Sequence, residues 1–436
     1  MRRPGTERPG RARVLLTVGG AAVAGVAVGA ATMVALQDAG HDPPAGTTPA
    51  AATASTTATT PGAHATAGTA AAPAAGDPAA SPAPPRERDP RVAPALLLAW
   101  SPDGLDPGLA AAAAADPAVG LPSTVRGGVV DLVASRDVSG APVDSLEPGW
   151  AIPLDTVAFD PALHADLVSL ADREAVAALA PRQALLGATS ARLRRLGPGD
   201  VIDLAAGGSV TVANVVSDAA VGGAELAVDV VTGEALGLRT DRYLIARYEG
   251  DRAAVEERLR GALTEDASVR FRGPGETPFL RNGDAVLPQS HIKDRFGEFA
   301  YRPGAGDEFA QDPAWQAANL VTVDLPIIGT ARCHRGIVDA LAGALEEVVS
   351  AHLAELIDPD GFAGCWNART TRAGTSISRH AWGVAVDLNF GDNPTGLSSV
   401  QDERLLAIFS RWGFTDGSGW LVPDAGHFEY VAPPGA

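Results

Sequence analysis

Near its C-terminus the chain carries the stretch Ser378-x-His380-x-x-Gly383-x-Ala385-x-Asp387, and 40 residues after Asp387 comes His427, inside Asp424-Ala425-Gly426-His427-Phe428-Glu429. The imidazoles of His380 and His427 and the carboxylate of Asp387 form the three-ligand protein shell of a catalytic zinc, which leaves a fourth position for water. Asp424 lies three residues before the last ligand, where a general base is useful. The two segments therefore predict one zinc ion with an acid–base residue beside it.

The spacing in both segments fits β-strands, in which successive side chains point to opposite faces. Read in this way, the first segment has a small, ligating face and an apolar face, formed by Gly383, Ala385 and Asp387 and by Val384, Val386 and Leu388. The second segment places His427 and Glu429 opposite Phe428 and Tyr430. We therefore expect two adjacent strands to present His380, Asp387 and His427 to one ion. A pair of unrelated core histidines, the alternative, accounts for neither the small face nor Asp424.

These motifs resemble those of the VanY-type D-alanyl-D-alanine carboxypeptidases, zinc peptidases of the group that also contains lysostaphin-like enzymes and the hedgehog signalling domain. The resemblance covers about residues 285–436, and the segments 292–299 and 364–372 are similar to the family's lead-in. The chain has Asp424 where some members have Glu, and Gly417-Ser418-Gly419-Trp420 where Gly-Gly-x-Trp is often found. The resemblance implies a zinc peptidase at 273–436 that acts on peptidoglycan stem peptides.

The resemblance also implies roles for residues around the ligands. Arg369 and Arg372 lie 11 and 8 residues before His380, and an arginine in the family's lead-in holds the substrate and polarises the scissile carbonyl. A guanidinium suits both tasks, since it binds carboxylates and neutralises a developing oxyanion; a solvated or structural ion pair is the alternative for each. We expect Ser378, Trp382 and Trp420 to line the cleft, with core packing as the alternative for the two tryptophans.

Three activities remain open at this point. Removal of a terminal D-alanine is the first expectation, and an endopeptidase of the same family is the second. The third is a domain that binds metal and cell wall without turnover, although Asp424 argues against it because a binding module needs no base. The motif Ser290-x-x-Lys293 fits the nucleophile of penicillin-binding proteins, but that mechanism needs a second lysine and Lys293 is the chain's only one.

The N-terminus predicts an exported, membrane-anchored protein. Five arginines in the basic tail, residues 1–13, precede an uncharged run at 14–36, whose length as a helix, about 34 Å, exceeds a bilayer core of roughly 30 Å. Positive charge before the run predicts a cytoplasmic N-terminus and a single-pass anchor in the cell membrane. A cleaved signal peptide, which would give a secreted protein, is the alternative.

Residues 37–90 are predicted to form a disordered stalk. From 43 to 90 they contain no Val, Ile, Leu, Phe, Trp or Tyr, so the segment has nothing to bury that could offset its ordering entropy. The net charge of the chain is -18 and its pI is about 4.8, which argues against a nucleic-acid partner.

Residues 91–272 alternate strand-like and helix-like patterns, which predicts a separate α+β domain. Strands are expected near 129–133, 150–154, 201–204, 210–213, 225–231, 243–248 and 269–271, and helices at 161–179, 182–196 and 251–263. The region faintly resembles the extracytoplasmic core domain of ABC-transporter permeases and gathers no catalytic residues. We expect a spacer or a docking domain for an unidentified protein partner. The whole chain is thus predicted as α+β, with a small antiparallel sheet and flanking helices in the peptidase domain.

Cys333 and Cys365 are the only cysteines. An even count within one domain of an exported protein favours a disulfide. Zinc ligation is an alternative, but the two thiols lack the paired spacing of a thiolate site, and two buried free thiols are the other alternative.

Overall fold

The computed structural model describes residues 95–101, 104–205, 208–265, 267–273, 276, 287–304, 306–371 and 376–433. The predicted basic tail, membrane anchor and stalk lie outside these residues, as does Arg372. Among the helices of the described residues, none is both long and apolar enough to cross a membrane.

The region before residue 273 is built around one large mixed sheet. Its strands are β1 (Leu96–Trp100), β2 (Val119–Arg136), β3 (Pro142–Ser145), β4 (Ile152–Phe159), β5 (Gln183–Gly187), β6 (Val201–Leu204), β7 (Gly208–Val216), β8 (Leu226–Asp229), β9 (Thr240–Tyr248) and β10 (Arg270–Arg272). They follow the order β10-β1-β9-β2-β4-β8-β5-β7-β6, and β3 pairs with β2. Because the long strand β2 also pairs with β6, the six strands from β2 to β6 in this order close into a ring.

The helices are α1 (Pro107–Ala115), α2 (Pro161–His164), α3 (Leu170–Ala177), α4 (Ala188–Arg194), α5 (Val230–Ala235), α6 (Arg252–Arg260), α7 (Gln289–Phe296), α8 (Pro313–Asn319), α9 (Val338–Ser350) and α10 (Glu403–Arg411). Many begin at an aspartate whose carboxylate accepts hydrogen bonds from the first-turn amides, such as Asp251 before α6 and Asp402 before α10. A side chain of this kind satisfies amide groups that have no partner within the helix.

The α+β class predicted from the sequence is confirmed, but two predicted helices are wrong in part. The helix expected at 161–179 is two helices, α2 and α3, and the first half of the helix expected at 182–196 is strand β5. Ala184, Leu185 and Leu186 are fully buried between β7 and β8. A short apolar run of this kind fits a strand that is covered on both faces, and its periodicity alone does not distinguish it from a buried helix.

The C-terminal region contains three small sheets. Their strands are β11 (Tyr301–Pro303), β12 (Phe309–Gln311), β13 (Leu320–Leu325), β14 (Gly329–His334), β15 (Ala385–Asp387), β16 (Phe414–Gly417) and β17 (Asp424–Tyr430). The first four strands form two hairpins, and the last three form an antiparallel sheet in the order β15-β17-β16. The apolar faces of α9 and α10 join this sheet in one hydrophobic core.

Buried charges join the C-terminal region to the large sheet. Lys293, on α7, is fully buried and donates hydrogen bonds to Pro153 O at 2.5 Å and to Glu225 at 2.9 Å. Its ammonium also lies 3.1 Å from Glu298, and Arg194 contacts both carboxylates. Two cations thus neutralise two carboxylates, and an unpaired charge at this depth is strongly unfavourable. The described residues all belong to one compact unit. The boundary at 272/273 stays a prediction, because residues 277–286 lie outside the described part.

The structure joins Cys333, on β14, to Cys365 by a disulfide, with the Cα atoms 5.2 Å apart. Both residues are buried in the C-terminal core. The bond ties the loop that contains Cys365 to the β13–β14 hairpin. This tie is relevant to function because the Cys365 carbonyl contacts His380.

Removing this disulfide is expected to lower the free energy of unfolding by about 3–4 kcal/mol, because the bond spans a sequence separation of 32 residues. Urea unfolding of a Cys333→Ala/Cys365→Ala double variant and of the wild type measures the difference. Each single variant also breaks the bond and serves as a control that should lose a similar amount. A double variant as stable as the wild type, or recovery of both cysteines as free thiols in non-reducing peptide mapping, would contradict the bond.

Candidate metal centre

The structure brings His380, Asp387 and His427 together at one point. Asp387 and His427 are opposite each other in the antiparallel register of β15 and β17. His380 Nε2 lies 3.1 Å from Asp387 Oδ1 and 3.1 Å from His427 Nδ1, and the third side of the triangle, from His427 Nδ1 to Asp387 Oδ1, is 3.0 Å. Both histidines are buried and Asp387 is partly exposed, so the carboxylate is the most exposed part of the cluster.

His380 does not come from a strand, as the alternating pattern predicted, but from a 3-10 turn, Arg379–Trp382. Ser378 caps this turn, since its hydroxyl accepts a hydrogen bond from the His380 amide at 3.3 Å. Gly383 ends the turn with a left-handed φ of +66°, where a Cβ would lie 2.9 Å from the His334 backbone nitrogen. Gly383 is therefore required by the turn and by this close approach. The strand interpretation fits only 385–387 and 424–430.

Each imidazole is oriented by a hydrogen bond on the side away from the cluster. His380 Nδ1 donates to the Cys365 carbonyl at 2.9 Å, which points Nε2 towards Asp387 and His427. His427 Nε2 lies 3.4 Å from Glu429 Oε1, which leaves Nδ1 facing the other two residues. Metal-binding histidines in proteins are oriented in this way, by a carbonyl or carboxylate on the second ring nitrogen.

The electrostatics of the cluster favour a cation. Burial alone would lower the pKa of His427, but the carboxylates of Asp387 and Glu429 outweigh it and raise that pKa to about 10. Burial would raise the pKa of Asp387, yet hydrogen bonds from His380 and His427 hold it well below its ordinary value. The pocket therefore retains positive charge, which a bound metal would supply in place of the proton.

The donor set fits a tetrahedrally coordinated metal ion. Two imidazole nitrogens and a carboxylate oxygen are the ligand types that such sites use, and at bond lengths of about 2.0 Å neighbouring ligand atoms lie roughly 3.3 Å apart. The three donor atoms lie within 4.8 Å of one another, and their hydrogen-bond distances are close to this spacing. His380 Nε2, Asp387 Oδ1 and His427 Nδ1 are therefore the atoms that would hold a metal here.

Asp424 begins β17, the strand that carries His427. Its Oδ1 accepts a hydrogen bond from Thr395 Oγ1 at 3.0 Å, and the residue is half-buried. The pairing of β16 with β17 shifts next to it, so that Gly417 pairs with Asp424 and Asp416 with Phe428. Residues 425–427 of β17 therefore form a bulge between these two pairs. Because a bulge interrupts the regular alternation of side chains, alternation does not fix the direction of the Asp424 side chain relative to His427.

The structure separates the two predicted tryptophans. Trp420 is half-buried, and its ring centroid lies 5.3 Å from that of His427. Trp382 is fully buried in the C-terminal core, where its indole donates to Gly297 O at 3.0 Å. Trp382 therefore does not line a cleft, because the apolar side of the 3-10 turn needs a large side chain to fill the core. Ser378 is almost fully buried and has the capping role described above.

Of the two predicted arginines, the structure describes Arg369, whose recorded contacts are with residues other than the three donors. Arg369 is paired through its backbone with Glu308, and its guanidinium donates to Thr370 O at 3.4 Å; Arg372 lies outside the described residues. Arg379, which the sequence reasoning passed over, is nearer: its Nε lies 4.0 Å from Glu429, and its Nη2 donates to Leu287 O at 2.7 Å. Its position next to His380 in the sequence was the signal that could have found it.

The comparisons with known proteins agree with this site. A family model described as D-alanyl-D-alanine carboxypeptidase matches residues 371–430, the segment that contains His380, Asp387, Asp424 and His427. The resemblance drawn from the sequence is thereby confirmed for this C-terminal region.

Two further comparisons add little. No curated protein matches the chain significantly. Among solved structures, the periplasmic region of MacB from Actinobacillus actinomycetemcomitans is similar over 41% of this chain and 88% of its own length, at 9% identity and a TM-score of 0.27, a similarity too low to support a conclusion.

Proposed function

We propose that this protein is a zinc-dependent peptidase of peptidoglycan stem peptides, and specifically a D-alanyl-D-alanine carboxypeptidase. The observation that carries the proposal is the buried cluster of His380, Asp387 and His427 inside the segment that matches the carboxypeptidase family. Two imidazoles and one carboxylate are the three protein ligands of a catalytic zinc, whereas structural zinc sites have four protein ligands.

Each residue of the site has a role in the proposed hydrolysis. When bound, zinc lowers the pKa of a water molecule to about 7 and polarises a carbonyl. His380, Asp387 and His427 would hold the ion, while the Cys365 carbonyl and Glu429 fix the two imidazoles. Asp424 takes a proton from the attacking water and returns it to the leaving amine. The assignment of substrate contacts to Ser378 and Trp420, and of oxyanion or carboxylate contacts to Arg369 or Arg372, remains part of the proposal.

We further propose that the reaction takes place outside the cell membrane. The arginines before residue 14 and the uncharged run at 14–36 support a single-pass anchor with a cytoplasmic N-terminus. In that arrangement the metal centre lies outside the membrane, where peptidoglycan is found. Residues 37–90 would serve as the stalk that spans the distance.

Digestion of purified muropeptides, with mass spectrometry of the products, tests the activity. Loss of one terminal D-alanine is the expected result, and it should be absent with a His380→Ala variant made in parallel. An internal cut would show an endopeptidase of the same family instead. Unchanged muropeptides in the presence of zinc would refute hydrolysis and leave a metal- and wall-binding role.

Replacing Glu429 with glutamine is expected to weaken zinc binding by about 10–100-fold, the usual effect of losing a carboxylate that orients a metal-binding histidine. The physical reason is that Glu429 fixes the His427 ring with Nδ1 towards the other ligands. Competition with a chromophoric chelator measures the affinity without relying on activity. Glu355→Gln, an exposed site in the same region, is the matched control. Equal affinities in both variants would show that Glu429 does not orient His427.

A further inference from the structure

The loop that carries Trp420 rests on the region before residue 273. This loop, residues 418–423, connects β16 to β17. Arg270, on β10, donates a hydrogen bond to Gly419 O at 2.9 Å. Leu421 is half-buried and packs against a hydrophobic core formed by residues of the large sheet and its helices. The contact partners on both sides of Trp420 thus belong to the region predicted as a spacer.

Val422 faces the same region across a cavity. It lines a cavity of about 210 Å³ whose other walls come from the large-sheet region, including Leu109 on α1 and Leu263 after α6. Three successive parts of the loop, at 419, 421 and 422, therefore face the same neighbouring region. The loop is seated on that region along its length, and not at a single point.

The loop's own sequence explains why an external support is needed. Gly417-Ser418-Gly419 contains two glycines, and a Cβ at Gly419 would meet nothing within 4 Å. Glycine loses the most conformational freedom on ordering. Local bonds order the start of the loop, from the Ser418 amide to Asp416 at 2.9 Å and from the Trp420 amide to Gly417 O at 3.2 Å. The packing of Leu421 against the large-sheet region orders its end.

Two observations place the loop beside the candidate metal centre. The Trp420 ring centroid is 5.3 Å from the His427 ring, and Asp424, the predicted base, follows the loop directly. We propose that Arg270 and Leu421 are positioning residues of the peptidase, through which residues 91–272 hold Trp420 beside the metal centre. The inference rests on the proposed function, and it makes the predicted spacer a structural part of the substrate cleft.

Hydrogen exchange of the full-length protein tests this arrangement locally. In Leu421→Ala, amide exchange within 418–422 should become about tenfold faster, which corresponds to a fall of ~1.4 kcal/mol in the free energy of local opening. In Arg270→Ala, exchange in the same segment should become about threefold faster, since an exposed hydrogen bond contributes less. The KM for muropeptides should rise several-fold in both variants, while zinc content and kcat stay close to wild type. Leu170→Ala and Arg239→Ala, at exposed sites in the same region, are the matched controls.

The possible outcomes separate this inference from the proposed function. Exchange in 418–422 that matches the controls would overturn it. Faster exchange spread evenly over β13, β14 and β17 would also overturn it, because the two residues would then act on general stability. If the wild type cleaves no muropeptide, the proposed function fails, and local exchange still decides whether these residues hold the Trp420 loop.

Discussion

Replacing His380 with alanine is expected to strip the metal from the purified protein and to abolish hydrolysis. His380 Nε2 is one corner of a triangle of donor atoms only about 3 Å on each side, so its loss leaves Asp387 and His427 to hold an ion alone. Losing a group that merely orients a ligand costs about 10–100-fold in affinity, and losing a ligand should cost more. The fall in activity should exceed the roughly 10²–10⁴-fold contribution of an acid–base residue.

Elemental analysis of the full-length protein, expressed with zinc and dialysed, measures the expected loss. The wild type should hold one zinc per chain. His352→Asn is the matched control, because His352 is exposed and has a left-handed φ that asparagine tolerates. A His380→Ala protein with full metal content would show that the ligand assignment is wrong.

The pairing of Asp387 with His427 could be predicted because two strands carry these residues in a regular way. Asp387 and His427 are directly paired across β15 and β17, and the apolar residues that alternate with them, Val386 and Phe428, enter the core as the pattern indicates. A period of two in the sequence is enough to predict such faces.

The position of His380 could not be predicted in the same way. It belongs to a 3-10 turn whose geometry depends on the Ser378 cap and on the close approach of Gly383 to His334. The latter contact joins residues almost fifty positions apart, and no local pattern encodes it. The same turn directs Trp382 into the core, although its place beside a ligand in the sequence suggested a cleft.

The interface between the large-sheet region and the C-terminal region could not be predicted from the sequence either. The interface contains buried charges, Lys293 with Glu225 and Arg194 with Glu298, and charged residues are ordinarily expected at the surface. Nothing in the local sequence pairs an ammonium at 293 with a carboxylate at 225. Their pairing depends on the folded arrangement, since only there does the attraction offset the loss of hydration.

Replacing Asp424 with alanine should leave zinc in place and remove most of the turnover. Asp424 is the first residue of the strand that carries His427, and its carboxylate accepts a hydrogen bond from Thr395 Oγ1 at 3.0 Å, so it is a positioned group that is not one of the three donors. An acid–base residue contributes about 10²–10⁴-fold to the rate, so kcat should fall by that factor while KM changes little. Steady-state kinetics on muropeptides, together with zinc analysis, measure both effects.

Two further variants decide what the loss means. Asp424→Glu should retain measurable activity, because the longer carboxylate still reaches a proton, whereas Asp424→Asn should be as poor as alanine. If Asp424→Ala lost its zinc, Asp424 would be a ligand and the assigned mechanism would be wrong. If it kept both zinc and full activity, the base would lie elsewhere. Apart from the proposed ligand Asp387, Glu429 is a carboxylate that contacts His427, but it faces His427 Nε2 at 3.4 Å and Arg379 at 4.0 Å, on the side of the imidazole away from the other ligands. Glu429 is therefore suited to orienting His427, and the general base is better assigned to Asp424.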